Sequence, residues 1–230
     1  MYKIAPVQER QKVLMRQKEV LMRQKEVPEA SLAELLVEFT GTMFLALVVG
    51  LGGDAVSIGG TLAALVYAFS DVSGGHFNPA VTFAMLVRGA TTWTRSLAYT
   101  IAQFAGAFAA AFVSKHVREE MNRPRVYPKR STHASRSTAI GMEFLFTFAF
   151  VFVIVRVTTK SKPNSYYGAA IGLILAAAAT VAAPISGAAF NPAIGVALPV
   201  VHEAYDDVWL YIFGPLMGAT VAAVCSKKYK

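Results

Sequence analysis

Charge and cysteine are scarce in this chain. Only 16% of its 230 residues are charged, and 55% are apolar; ordinary soluble domains carry about 25% charge. Such a composition belongs neither to a disordered chain nor to an ordinary soluble domain. A lone cysteine, Cys225, excludes an internal disulfide framework and a cysteine-rich zinc site. Acids within the apolar stretches are few, chiefly Glu38, Asp71 and Glu143, and no Ser–His or paired-Asp arrangement stands beside them. An enzyme would lack its machinery, and no cofactor or metal site is expected. The formal charge is +8, but the basic residues lie in tails and connections, so the excess does not point to nucleic acid.

Long apolar runs are what the chain has. A bilayer-crossing helix needs about 20 apolar residues, and six stretches qualify: 31–52, 55–73, 93–113, 139–157, 167–184 and 208–224. Two more, 78–87 and 191–200, are too short to cross. Residues 163–202 hold no Asp, Glu, Lys or Arg, so one full span and one short segment share an uncharged run. Ahead of them, residues 10–27 repeat RQKVLM, RQKEVLM, RQKEV with a period of seven, which would align Val13, Val20 and Val27 on one helical face. Two and a half heptads are short for a coiled coil, so residues 1–30 read as a basic tail; a small coiled coil or a membrane-surface helix is the alternative. Seven of the 22 Lys and Arg fall in the long connection after the third span: Lys115, Arg118, Arg123, Arg125, Lys129, Arg130 and Arg136. The rest lie on the other side, which favours both termini in the cytoplasm.

The two halves match. Asn78-Pro79-Ala80 recurs as Asn191-Pro192-Ala193, preceded by Ser73-Gly74-Gly75-His76-Phe77 and Ser186-Gly187-Ala188-Ala189-Phe190. Glu38-Phe39 pairs with Glu143-Phe144, and Gly106-Ala107 with Gly218-Ala219. Three spans per half is an odd number, so the second half runs inverted, an arrangement that places a site near the midplane. The short segments then act as half-helices. Asn is a favoured N-cap and Pro suits the first helical position, so Asn78 and Asn191 each start one. Two such segments of about 15 Å, end to end, match the thickness of the hydrocarbon core. The residues before each cap (Gly74, Gly75 and His76; Gly187, Ala188 and Ala189) are expected to be non-helical and to line a cavity with their carbonyls. The Asn amides are expected to donate into that cavity. Two positive helix ends facing its centre oppose cations and hydronium while admitting neutral solutes.

On these residues the chain resembles the aquaporin (major intrinsic protein) family. The resemblance implies an all-α membrane protein with six transmembrane helices and two re-entrant half-helices, an inverted 3+3 repeat and a homotetramer with one pore per subunit. One channel domain would span 31–225, with halves of about 31–116 and 137–225, between the tail over 1–30 and a short tail over 226–230. Glu38 and Glu143 match the family's buried glutamates, which support the pore loops; a proton relay is the alternative. Gln103 matches a structural glutamine of the third span.

Four filter positions carry over by their distances from the two motifs: Ile58, Ala179, Ala188 and Ile194. Strict water channels of the family have an aromatic, a His, a small residue and an Arg there, so this ring departs from them in being wholly apolar. Gly195 stands where glycerol facilitators have Asp. The pattern is most similar to tonoplast-type intrinsic proteins. The expected function is a passive water channel that excludes protons and ions and passes some small neutral solutes. The alternatives are a broad channel for ammonia, urea, hydrogen peroxide or glycerol with water incidental, or a membrane scaffold with little flux. A plasma membrane and a vacuole-like membrane fit equally. His76 reads as a loop-packing residue, with a pH gate as the alternative.

Overall fold

The computed structural model describes residues 28–158 and 165–227, together with Glu9 and Met15. The heptad repeat lies outside the described residues. Eight α-helices are described: α1 (Leu32–Gly50), α2 (Ala55–Phe69), α3 (Pro79–Val87), α4 (Trp93–Glu120), α5 (Arg136–Thr158), α6 (Tyr167–Ser186), α7 (Pro192–Val201) and α8 (Leu210–Ser226). The helices α1, α4, α5 and α6 are each long and apolar enough to cross a membrane; α2 and α8 are shorter apolar helices of 15 and 17 residues. At 1.5 Å per residue α2 spans only about 22 Å, because the chain turns at Ser70–Ser73 rather than continuing as the expected span 55–73. Conversely, α4 outruns its expected end by two turns, so Lys115 and Arg118 sit on a helix and not in the connection.

Helix starts follow local chemistry. Ser31 caps α1 in a capping box: its Oγ accepts from the Glu34 N–H at 3.3 Å, and its own N–H donates to the Glu34 carboxylate at 2.7 Å. Asp54 and Thr92 cap α2 and α4. Pro184 lies inside the last turn of α6, which continues to Ser186 before Gly187 turns it out at φ 95°.

Helices pack where side chains are smallest. A Cβ added to Gly106 would overlap the Phe39 carbonyl, and one added to Gly218 would overlap the Phe144 carbonyl. The repeat thus appears in three dimensions: α1 packs on α4, and α5 packs on α8 in the same way. The halves meet along α2 and α6, where Gly59 and Gly172 each sit against the other's carbonyl. The short helices cross between halves. Helix α3 packs on α8 more than on α4, and α7 on α4 more than on α8.

Candidate pore

The two short helices start head to head. Asn78 Oδ1 accepts from the Ala80 N–H at 2.8 Å and Asn191 Oδ1 from the Ala193 N–H at 3.0 Å, with Pro79 and Pro192 as first helical residues. Each Asn amide also reaches across: Asn78 Nδ2 donates to the Phe190 carbonyl and Asn191 Nδ2 to the Phe77 carbonyl, both at 2.9 Å. The expectation that the amides donate into the cavity did not include these cross-half bonds. An amide has two N–H donors; one is spent locking the halves together, which leaves the other for a solute.

The loops before the caps are non-helical, as expected, and their backbones repeat. Gly74, Gly75 and Phe77 have φ of 90°, 63° and 48°, while Gly187, Ala188 and Phe190 have 95°, 51° and 47°. Ala188 therefore holds a left-handed conformation that its counterpart Gly75 adopts without a Cβ clash. Buried carboxylates hold both loops. Glu38 accepts from Ser73 Oγ at 2.6 Å, the His76 N–H at 2.9 Å, the Phe77 N–H at 2.7 Å and Gln103 Nε2 at 2.8 Å. Glu143 accepts from Ser186 Oγ at 2.7 Å, the Ala189 N–H at 3.1 Å and the Phe190 N–H at 2.8 Å. Both are fully buried, so these donors replace the water each carboxylate has lost.

One narrow cavity brings the separate predictions together. Ile58, Ala179, Ala188 and Ile194 all line it, with Asn78, Asn191, His76 and Ala189. A second cavity is lined by Gly74, Gly75 and His76. His76 faces both, its Nδ1 lying 3.1 Å from Thr82 Oγ1. The second cavity also contains Ile171, Val66, Gly75 and Val81, which the repeat relates to Ile58, Ala179, Ala188 and Ile194. Gly187 has another place: a Cβ there would overlap the Lys129 backbone, so the connection between α4 and α5 is seated against the loop. Leu45 and Phe150 also line the first cavity. Sequence reasoning missed them, although each lies seven residues after its glutamate, two turns along the same helix face.

The connection between α4 and α5 is tied down by charge. Asp207 accepts from Arg130 Nε at 2.9 Å and Arg136 Nε at 2.8 Å, and the Ser131 N–H donates to the Ile185 carbonyl at 2.9 Å. Burial pushes the Asp207 carboxyl up, but the hydrogen bonds from Arg136 and Arg130 outweigh it and hold the group below the usual carboxylate range. The stabilisation is therefore present at neutral pH and is lost only as the pH falls through that lowered value.

Residues 29–225 match the family model described as major intrinsic protein. The chain belongs to that family. Among its relatives, Aquaporin NIP1-4 of Oryza sativa subsp. japonica is 35% identical over 82% of this chain and 74% of its own length. Glycerol uptake facilitator protein-like 6 of Lactiplantibacillus plantarum is 35% identical over 84% of this chain and 95% of its own. A probable aquaporin TIP-type alpha of Phaseolus vulgaris is 35% identical over 71% of this chain and 64% of its own. These relatives include NIP, TIP and glycerol-facilitator types, so the likeness is not confined to the tonoplast type that the filter pattern suggests. The solved X-ray structure of the aquaglyceroporin from Plasmodium falciparum shares the fold, with a TM-score of 0.74 at 18% identity over 85% of this chain and 95% of that one. Major intrinsic proteins are channels and not enzymes, and they are integral to the membrane.

Proposed function

We propose that this channel passes water down an osmotic gradient and excludes protons and ions. The observation that carries the reading is the head-to-head pair of half-helices, each capped by an Asn whose amide lines a cavity with otherwise largely apolar walls. Both helix N-termini bring partial positive charge to the centre. A water oxygen accepts hydrogen bonds there from the spare Asn78 and Asn191 donors and turns its own hydrogens outward in both directions. That orientation breaks a proton wire, and the positive centre repels cations. Loop carbonyls on either side accept from the waters in file. Asn78, Pro79, Ala80, Asn191, Pro192 and Ala193 form the centre, and Ile58, Ala179, Ala188 and Ile194 the filter. The working unit is a homotetramer in a lipid bilayer with both termini cytoplasmic.

One observation favours a second reading, a channel for several neutral solutes. The filter ring offers no side-chain donor or acceptor, and a relative at 35% identity carries a glycerol-facilitator name. Stopped-flow light scattering on proteoliposomes separates the two. Wild type is expected to give fast water flux with negligible glycerol flux. Ile194→Arg adds a fixed charge and five N–H donors, and is expected to cut urea or ammonia flux about tenfold while sparing water. Water flux equal to that of empty liposomes, alongside clear flux of another solute, would establish the second reading.

A further inference from the structure

Tyr211 is fully buried on α8, and its Oη donates to the Ser186 carbonyl at 2.7 Å. The bond lands two residues before Ala188 of the filter. On its other side Tyr211 meets Gly195, the residue directly after Ile194: a Cβ built there would overlap Tyr211 Cβ and lie 2.8 Å from Cγ and 3.0 Å from Ala189 Cβ. One aromatic side chain thus braces two of the four filter residues through their neighbours, without lining the cavity itself. The same contact leaves no room for any side chain at 195.

The first half holds the matching bond beside His76, which lines both cavities, and not beside a filter residue. Tyr99 Oη donates to the Ser73 carbonyl at 2.8 Å, and the Tyr99 ring meets the His76 ring edge-on at 5.3 Å. Arg95 Nη2 donates to Tyr99 Oη at 3.0 Å and pairs with Glu34. In the second half the charges are exchanged: an acid, Asp207, precedes the third helix and pairs with Arg136 on the first. The repeat therefore supplies its own control, the same phenol-to-carbonyl bond with and without a filter beside it.

We propose that Tyr211 is a positioning residue for selectivity: it fixes the spacing of Ala188 and Ile194, and so the width of the outer ring toward neutral solutes larger than water. The proposal rests on the channel reading above. Tyr211→Phe keeps the ring and removes the donor, leaving a buried carbonyl unmet. The loop bearing Ala188 relaxes and the ring opens. Tyr99→Phe relaxes the inner loop only.

The test measures urea and water permeability of wild type, Tyr211→Phe and Tyr99→Phe in proteoliposomes. Tyr211→Phe is expected to raise the urea-to-water ratio by about threefold or more, whereas Tyr99→Phe lowers water flux and leaves the ratio at the wild-type value. A general loss of stability would move both variants alike. Should Tyr211→Phe not fold, Asp207→Asn, which frees the segment leading into α8 from Arg130 and Arg136, is expected to shift the ratio in the same direction by a smaller factor. An unchanged ratio in the folded second-half variant, or an equal change in Tyr99→Phe, overturns the proposal while wild-type flux leaves the channel reading standing. Wild-type liposomes without flux overturn both.

Discussion

Glu38→Ala is expected to yield a channel that is destabilised by at least about 3 kcal/mol and nearly inactive. Four donors converge on this carboxylate: Ser73 Oγ, the His76 and Phe77 N–H groups, and Gln103 Nε2. Truncation strands them around a fully buried position, and a stranded buried donor costs about 1–3 kcal/mol. Three of the four belong to the loop that places Asn78. Gln103 Nε2 also reaches Thr82 Oγ1 at 2.9 Å, and Thr82 fixes the His76 ring. Loss of the carboxylate thus spreads from the loop to the pore histidine. Glu38→Gln is expected to fall between, because its amide oxygen still accepts while its nitrogen opposes a donor. Thermal unfolding in detergent, read beside Leu36→Ala on the exposed face of the same helix, checks the ranking. Equal melting temperatures for Glu38→Ala and Leu36→Ala would refute it.

The double variant Asn78→Ala/Asn191→Ala is expected to lose water flux by at least about tenfold and to lower the melting temperature. Each substitution removes an N-cap, worth about 1 kcal/mol, and a cross-half bond to Phe190 or Phe77. The cost falls on both loops together, since each Asn holds the carbonyl next to the other. The single variants are therefore expected to be non-additive, with the second removal costing less than the first. Stopped-flow water flux and unfolding of the two singles and the double give the coupling directly. Strict additivity would mean that the two halves are locked by packing and not by these amides.

Much of this was legible in the chain because the repeat doubles every signal. A single Asn-Pro-Ala says little; two in matched context, on segments too short to cross, set the half-helices to within a residue, with Asn78 and Asn191 as caps. Ile58, Ala179, Ala188 and Ile194 come only from the family resemblance, which carries them over by their distances from those caps, and the four line one cavity. What stayed hidden has a common physical cause. Tyr99 and Tyr211 look like ordinary apolar span residues, since the acceptor of each phenol is a backbone carbonyl, which leaves no mark in the sequence. Leu45 and Phe150 are apolar among apolar residues, and only the seven-residue step from Glu38 and Glu143 separates them from lipid-facing neighbours. The end of α2 at Phe69 did leave a mark, the polar turn Ser70-Asp71-Val72-Ser73, which a span of 55–73 overruns because a bilayer-length window is longer than the helix.

The crossing of the short helices has a consequence for how the chain is made. Helix α3 leaves the ribosome long before α8, the helix on which it chiefly packs. About 120 residues separate them, so at about 5–20 residues per second α3 waits roughly 6–24 s for its main partner. During that interval the cap, the Pro and the open carbonyls before it stand at membrane depth with half their neighbours unborn. Helix α7 has no such wait, because α4 is already in place when it emerges. Biogenesis is therefore lopsided although the finished fold is nearly symmetric, and the first half is the one that needs shelter from the insertion machinery.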